Sequence, residues 1–153
     1  MQYGNNDDKT ISVRNFDRTA SPDGSPNVIT GFAYVTDASQ PGKLSLKFDN
    51  IPYVGSYWVL SLGPEEDGKY QWSIVTDKNG VFLFVLARDV TTFKTKYDAT
   101  VKLQLNELGF KGLSAPLPVY QGSDCQYEHS IRKKQIEDNF CTECELRCSN
   151  SIY

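Results

Sequence analysis

Residues able to do chemistry are few in this chain, and they gather at its end. Four cysteines stand at Cys125, Cys141, Cys144 and Cys148, and none precedes them. The run CTECELRC spaces three thiols as zinc ligands can be spaced. The only histidine, His129, lies 12 residues before Cys141, so no fourth ligand is evident and no metal site is expected. Disulfides within the tail, to Cys125 or between chains, are expected in an extracellular setting, and free thiols in an intracellular one. The connectivity is open. Catalytic groups are scarcer still. The sequence has no Gly-x-Ser-x-Gly, no P-loop, no glycine-rich dinucleotide fingerprint and no plausible His and Cys pair. Neither an enzyme nor a cofactor is expected.

One polar residue stands out for its company. In TISVRNF, residues 10–16, Ile11, Val13 and Asn15 fall on one side of a strand and Ser12, Arg14 and Phe16 on the other. An amide among apolar neighbours needs a hydrogen-bond partner.

The elements that must position these residues follow from periodicity. Segments 57–62, 70–75 and 81–87 are apolar and are separated by GPEEDGK and TDKNG, which read as turns. They make a meander of three antiparallel strands. By alternation Phe82, Phe84, Leu86 and Arg88 share one face, and Trp58, Leu60 and Leu62 share another. Upstream, a strand ends near Tyr3 at the turn GNNDD, and another covers 10–16. A third covers 27–35, with Gly31 marking a bend. A fourth, over 43–48, sets Leu44, Leu46 and Phe48 against Lys43, Ser45 and Lys47. Downstream, Phe93, Tyr97, Val101, Leu105 and Leu108 recur at three and four residues, which predicts an amphipathic helix over about 92–108, stopped by Gly109. Residues 117–121, LPVYQ, read as a short last strand at an edge or seam. Ile136, Phe140, Cys144 and Cys148 repeat every four residues and permit a second short helix.

Many short strands followed by one helix predict an all-β fold. The expected form is an up-and-down antiparallel β-barrel of seven to eight strands, with one C-terminal helix packed outside. Residues 1–127 form the barrel domain, and 128–153 a polar, cysteine-bearing tail. The 153 residues suffice for one domain, and a net charge of −3 gives no footprint for nucleic acid or an anionic membrane surface. No run approaches the roughly 18 apolar residues of a membrane span. The opening MQYGNNDDK lacks the apolar core of a signal peptide, and there is no Asn-x-Ser/Thr sequon.

The runs YWVLSL, YQWSIV and FLFVLAR, followed by a helix and a short strand, resemble the lipocalins, over about residues 3–127. Among lipocalins the resemblance is closest to the apolipoprotein D, bacterial lipocalin and lazarillo branch. Arg88 matches the family's third signature, and Asp67 to Tyr70 loosely match the second. The Gly-x-Trp strand that opens lipocalins is missing, since neither Trp58 nor Trp72 has a glycine two residues before it. The expectation is a truncated isoform or incomplete gene model, whose missing segment carried the signal peptide, the first strand and the partner of Cys125.

The resemblance implies a secreted, non-catalytic protein that holds a fatty acid, sterol, retinoid or lysolipid in its barrel for transport or sequestration. The lipocalin that works as a prostaglandin synthase uses a barrel cysteine, and this chain has none before Cys125. The implied lining is Tyr3, Val13, Asn15, Leu46, Phe48, Trp58, Leu60, Trp72, Phe84 and Leu86, with Asn15 tethering a ligand hydroxyl or carboxyl. Arg88 is implied to be structural. Hiding on the order of 300 Å² of apolar ligand surface gains roughly 7 to 8 kcal/mol before association costs, which leaves about micromolar affinity. The alternative is a non-catalytic interaction protein that oligomerises through its tail as a disulfide-linked dimer.

Overall fold

Strand alternation and turn chemistry place nine strands and one helix in the computed structural model, which describes residues 1–125. The expectations for Cys141, Cys144, Cys148 and the second short helix lie outside the described residues. Seven strands form one antiparallel sheet: β1 (Gln2–Asn5), β2 (Ile11–Arg18), β3 (Pro26–Val35), β4 (Lys43–Phe48), β5 (Val54–Leu62), β8 (Trp72–Thr76) and β9 (Leu83–Ala87). Each neighbours the next in chain order, which is the up-and-down topology expected. A separate two-stranded ribbon, β6 (Glu65–Glu66) and β7 (Lys69–Tyr70), interrupts the order.

The turns explain the boundaries. Between β1 and β2 the Asp8 carboxylate accepts from the Thr10 amide at 3.0 Å and from its hydroxyl at 2.6 Å. In the β6–β7 ribbon Asp67 and Gly68 have φ of 52° and 71°, the paired left-handed geometry that an Asp-Gly hairpin turn requires. Between β8 and β9, Asp77 accepts from the amides of Asn79, Val81 and Phe82 at 3.1, 2.7 and 2.8 Å. These bonds, the Phe82 amide first, hold its carboxyl below the usual carboxylate range. The strand expected to begin at 81 begins instead at Leu83, because the two preceding amides belong to the turn.

The described residues divide into two compact units. One comprises 1–34, 45–54 and the residues from 122, and the other 35–44 and 55–121. In the first, Val13 is buried beside Gly31, which pairs with it across β2 and β3. In the second, the core forms between the β8–β9 hairpin and the helix. Trp72, Ile74, Val85 and Ala87 pack with Phe93, Val101 and Leu105, and Leu83, Val90, Tyr97 and Phe110 surround them.

The helix runs over residues 90–107. Asp89 caps it by accepting from the Thr92 amide at 2.6 Å. A π-turn, Phe93–Tyr97, is followed by a regular stretch, Asp98–Glu107. It ends as Gly109 predicted. Gly109, at φ 92°, donates to the Asn106 carbonyl at 3.1 Å and Phe110 to the Leu105 carbonyl at 2.9 Å, a Schellman motif with Phe110 folded back toward Leu105. Of the predicted apolar stripe, Phe93, Tyr97, Val101 and Leu105 face the core, while Leu108 is 46% exposed.

Residues 117–121 are not a strand. Pro116 and Pro118 have no N–H to donate to a ladder, and Leu117 and Tyr120 are exposed at 83% and 63%.

Candidate functional site

In the first unit the register decides which side chains meet, since directly paired residues project from the same face of a sheet. Tyr3 pairs with Val13 and Val13 with Gly31, while Asn15 pairs with Ile29 and Ile11 with Ala33. The Asp49 amide donates to the Thr30 carbonyl at 2.9 Å, which sets Phe48 beside Gly31. A Cβ on Gly31 would stand 2.2 Å from the Lys47 carbonyl oxygen and 2.7 Å from the Phe48 Cα. The glycine therefore lets β3 and β4 approach where no side chain fits. Five predicted residues, Tyr3, Val13, Asn15, Leu46 and Phe48, thus share one apolar face, together with Ile11, Ile29 and Ala33.

Asn15 is polar among these residues, and Asn5, Asp17 and Asn27 lie on the same side toward the strand ends. The Asn15 Oδ1 is buried and accepts no hydrogen bond among the described residues. Tyr3 does not serve it, because the phenol hydroxyl donates to the Met1 sulfur at 3.2 Å. Arg14 pairs with Gln2 and Thr30, so it projects from the opposite face.

In the second unit the predicted residues separate. Trp72 pairs with Ala87 and lies in the core under the helix, 6% exposed. Its indole sits over Gly63, where a Cβ would come within 2.6 Å of the ring. Phe84 pairs with Val75 and Leu86 with Ser73, on the face turned away from the helix. Trp72 is therefore not beside Phe84 and Leu86, because its neighbours Ile74 and Val85 put its side of the hairpin against Phe93 and Val101.

Trp58 is a second correction. It pairs with Thr76, which shares a side of β8 with Ile74 and Trp72, and the Lys43 ammonium lies 4.5 Å from its ring centroid. Val59 pairs with Val75, on the face of Phe84. The register then shifts: Ser61 pairs with Ile74 and Leu62 with Ser73, leaving Leu60 as an inserted residue with no partner across the ladder. The hydrogen bond from the Ser61 hydroxyl to Gln104 at 3.3 Å confirms that Ser61 points to the helix. This bulge exchanges the two sides of β5, so Trp58 and Leu62, two turns of alternation apart, project from opposite faces. Val59, Leu62 and Val75 accompany Phe84 and Leu86, and alternation along β5 alone would put Val59 and Leu62 on opposite faces.

Arg88 stands at the end of β9. Its Nε donates to the Tyr70 carbonyl at 2.7 Å and its amide to the Gln71 carbonyl at 3.0 Å, so it fastens the β6–β7 ribbon to the end of the hairpin. From the helix, the Tyr97 hydroxyl donates to Glu66 at 3.0 Å, and desolvation, then that bond, raises its pKa. Cys125 is half-buried at the end of the described residues.

The topology, the helix that follows β9 and Arg88 at the end of β9 agree with one family. The profile of the lipocalin-like domain matches residues 1–113. The chain belongs to the lipocalin-like family. No curated protein matches it in sequence. Lipocalins generally bind small ligands and are not enzymes, and they are typically secreted. The matched region holds every strand and the long helix of the described residues, and it stops short of 117–121. Among the described residues no helix is long and apolar enough to cross a membrane.

Proposed function

We propose that this lipocalin-like protein binds a small hydrophobic ligand and carries or sequesters it outside the cell. The observation that supports this reading is the division of labour in the second unit. The helix covers one side of the β8–β9 hairpin and forms the core there. On the other side Val75 is 1% exposed, yet Phe84 and Leu62 beside it remain 37% and 44% exposed. Large apolar side chains left half-covered on a sheet face suit an apolar ligand, which gains about 25 cal/mol for each Å² it hides. The first unit presents a comparable face of Tyr3, Val13, Leu46 and Phe48.

Tryptophan emission is a poor reporter here, because Trp72 lies under the helix and Trp58 projects from the same side. A ligand with its own emission is the direct probe. Titration with Nile red is expected to give a saturable rise in dye emission with a Kd near micromolar, and replacing Phe84 by Asp is expected to weaken it at least about tenfold. A linear, unsaturable response from a folded sample would refute the reading.

A further inference from the structure

We infer that the β8–β9 turn docks this protein on a lipid surface, with Val81 and Phe82 entering the boundary between headgroups and acyl chains. Both side chains stand out from the end of the hairpin, 73% and 64% exposed. Single exposed apolar residues are common on soluble proteins, and what distinguishes this pair is the backbone that carries it. Every N–H from Asp77 to Phe82 is satisfied within the chain. The Asp77 carboxylate accepts from the amides of Asn79, Val81 and Phe82, and its carbonyl from the Gly80 amide at 3.1 Å. The Lys78 amide donates to the Ser56 hydroxyl at 2.8 Å, and the Asp77 amide to the Phe82 carbonyl at 3.2 Å.

A turn that faces water or a protein partner needs no such closure, because either can accept from a free amide. An acyl layer cannot, so a turn that enters it must satisfy its own donors. The turn is also braced from behind. A Cβ on Gly80 would lie 3.8 Å from the Phe110 ring, and Phe110 packs against the core, so little conformational freedom is left to lose on docking. Lys78 and Asn79, both exposed beside the apolar pair, suit the headgroup layer. All these residues belong to the second unit. With a net charge of −3, the attraction must come from apolar insertion rather than from an anionic surface.

Sedimentation with phosphatidylcholine vesicles tests this. The wild-type chain is expected to bind reversibly at millimolar lipid, with little change in about 0.5 M NaCl, where charge attraction is screened. Replacing both tip residues, Val81→Ser with Phe82→Ser, should weaken binding at least about tenfold. Leu103→Ser, at a comparably exposed apolar position on the helix, should stay within about twofold. Asp77→Ala keeps both tip side chains but leaves three amides unmatched, so it too should lose binding. Phe82→Trp supplies a reporter whose added emission should be quenched by bromines on the acyl chains. Circular dichroism checks that each variant folds, and if Asp77→Ala unfolds, the tip pair and the reporter decide. Failure of the folded wild type to sediment overturns the inference. So does equal loss in Leu103→Ser, retained binding in folded Asp77→Ala, or Phe82→Trp emission untouched by brominated lipid. Tip-dependent self-association without lipid binding also overturns it and assigns the tip to a second copy. Nile red titration is read separately, so the ligand-binding reading survives each of these outcomes.

Discussion

Single residues set the limits of this fold. Gly31 occupies a point where β3 and β4 touch through backbone, so Gly31→Ala must separate the strands rather than repack a side chain. We expect it to cost more than about 2 kcal/mol in urea denaturation, well above an ordinary surface substitution. Asp89 works through its cap on Thr92, and Asp89→Ala is expected to lower stability by about 1 kcal/mol. That loss depends on pH in a fixed direction. The Thr92 amide, the main cause, holds the folded-state pKa of Asp89 below its unfolded value. The contribution is therefore present above about pH 4 and disappears as the pH falls through the folded value. Denaturation midpoints of wild type and Asp89→Ala should converge in acid. The shared face of Tyr3, Val13 and Asn15 was legible in the sequence because β2 alternates without interruption and pairs in register on both sides. The unmatched state of Asn15 Oδ1 was not legible, since only the surrounding chain shows which partners are out of reach.

At the scale of elements, the helix was readable and β5 was not. Phe93, Tyr97, Val101 and Leu105 announce a helical stripe by spacing alone, and the C-terminal stop follows from a glycine free to take a positive φ. Phe93, 1% exposed in the core cluster, is expected to cost about 3 to 5 kcal/mol when replaced by Ala, whereas Leu103→Ala, at 65% exposure, should stay within about 0.5 kcal/mol. Thermal or urea unfolding of the two variants checks the contrast. In β5 the alternation is regular to the eye, but Leu60 is inserted and the sides exchange. Alternation alone groups Trp58 with Leu60 and Leu62, and the register separates Trp58 from Leu62. The short strand expected at 117–121 failed for a simpler reason, that Pro116 and Pro118 remove the donors a ladder needs.

For the molecule as a whole, ligand binding and stability are linked. A ligand present at 100 times its Kd is expected to add about 2.7 kcal/mol to unfolding, so a melting temperature that rises with 1-dodecanol concentration checks binding without any dye. The tail alternative gives its own readout, a disulfide-linked dimer on a non-reducing gel that is lost when residues 128–153 are deleted. The sequence by itself determined the fold class, the chain-order succession of strands, the helix and its stop, and the face of β2, because each follows from local periodicity, turn chemistry or a glycine. Only the tertiary structure decided which side of the β8–β9 meander the helix would cover. Both sides carry large apolar residues, and alternation separates two faces without saying which is core. The helix chose the side of Ile74, Val85 and Trp72, and left Phe84 and Leu86 on the other.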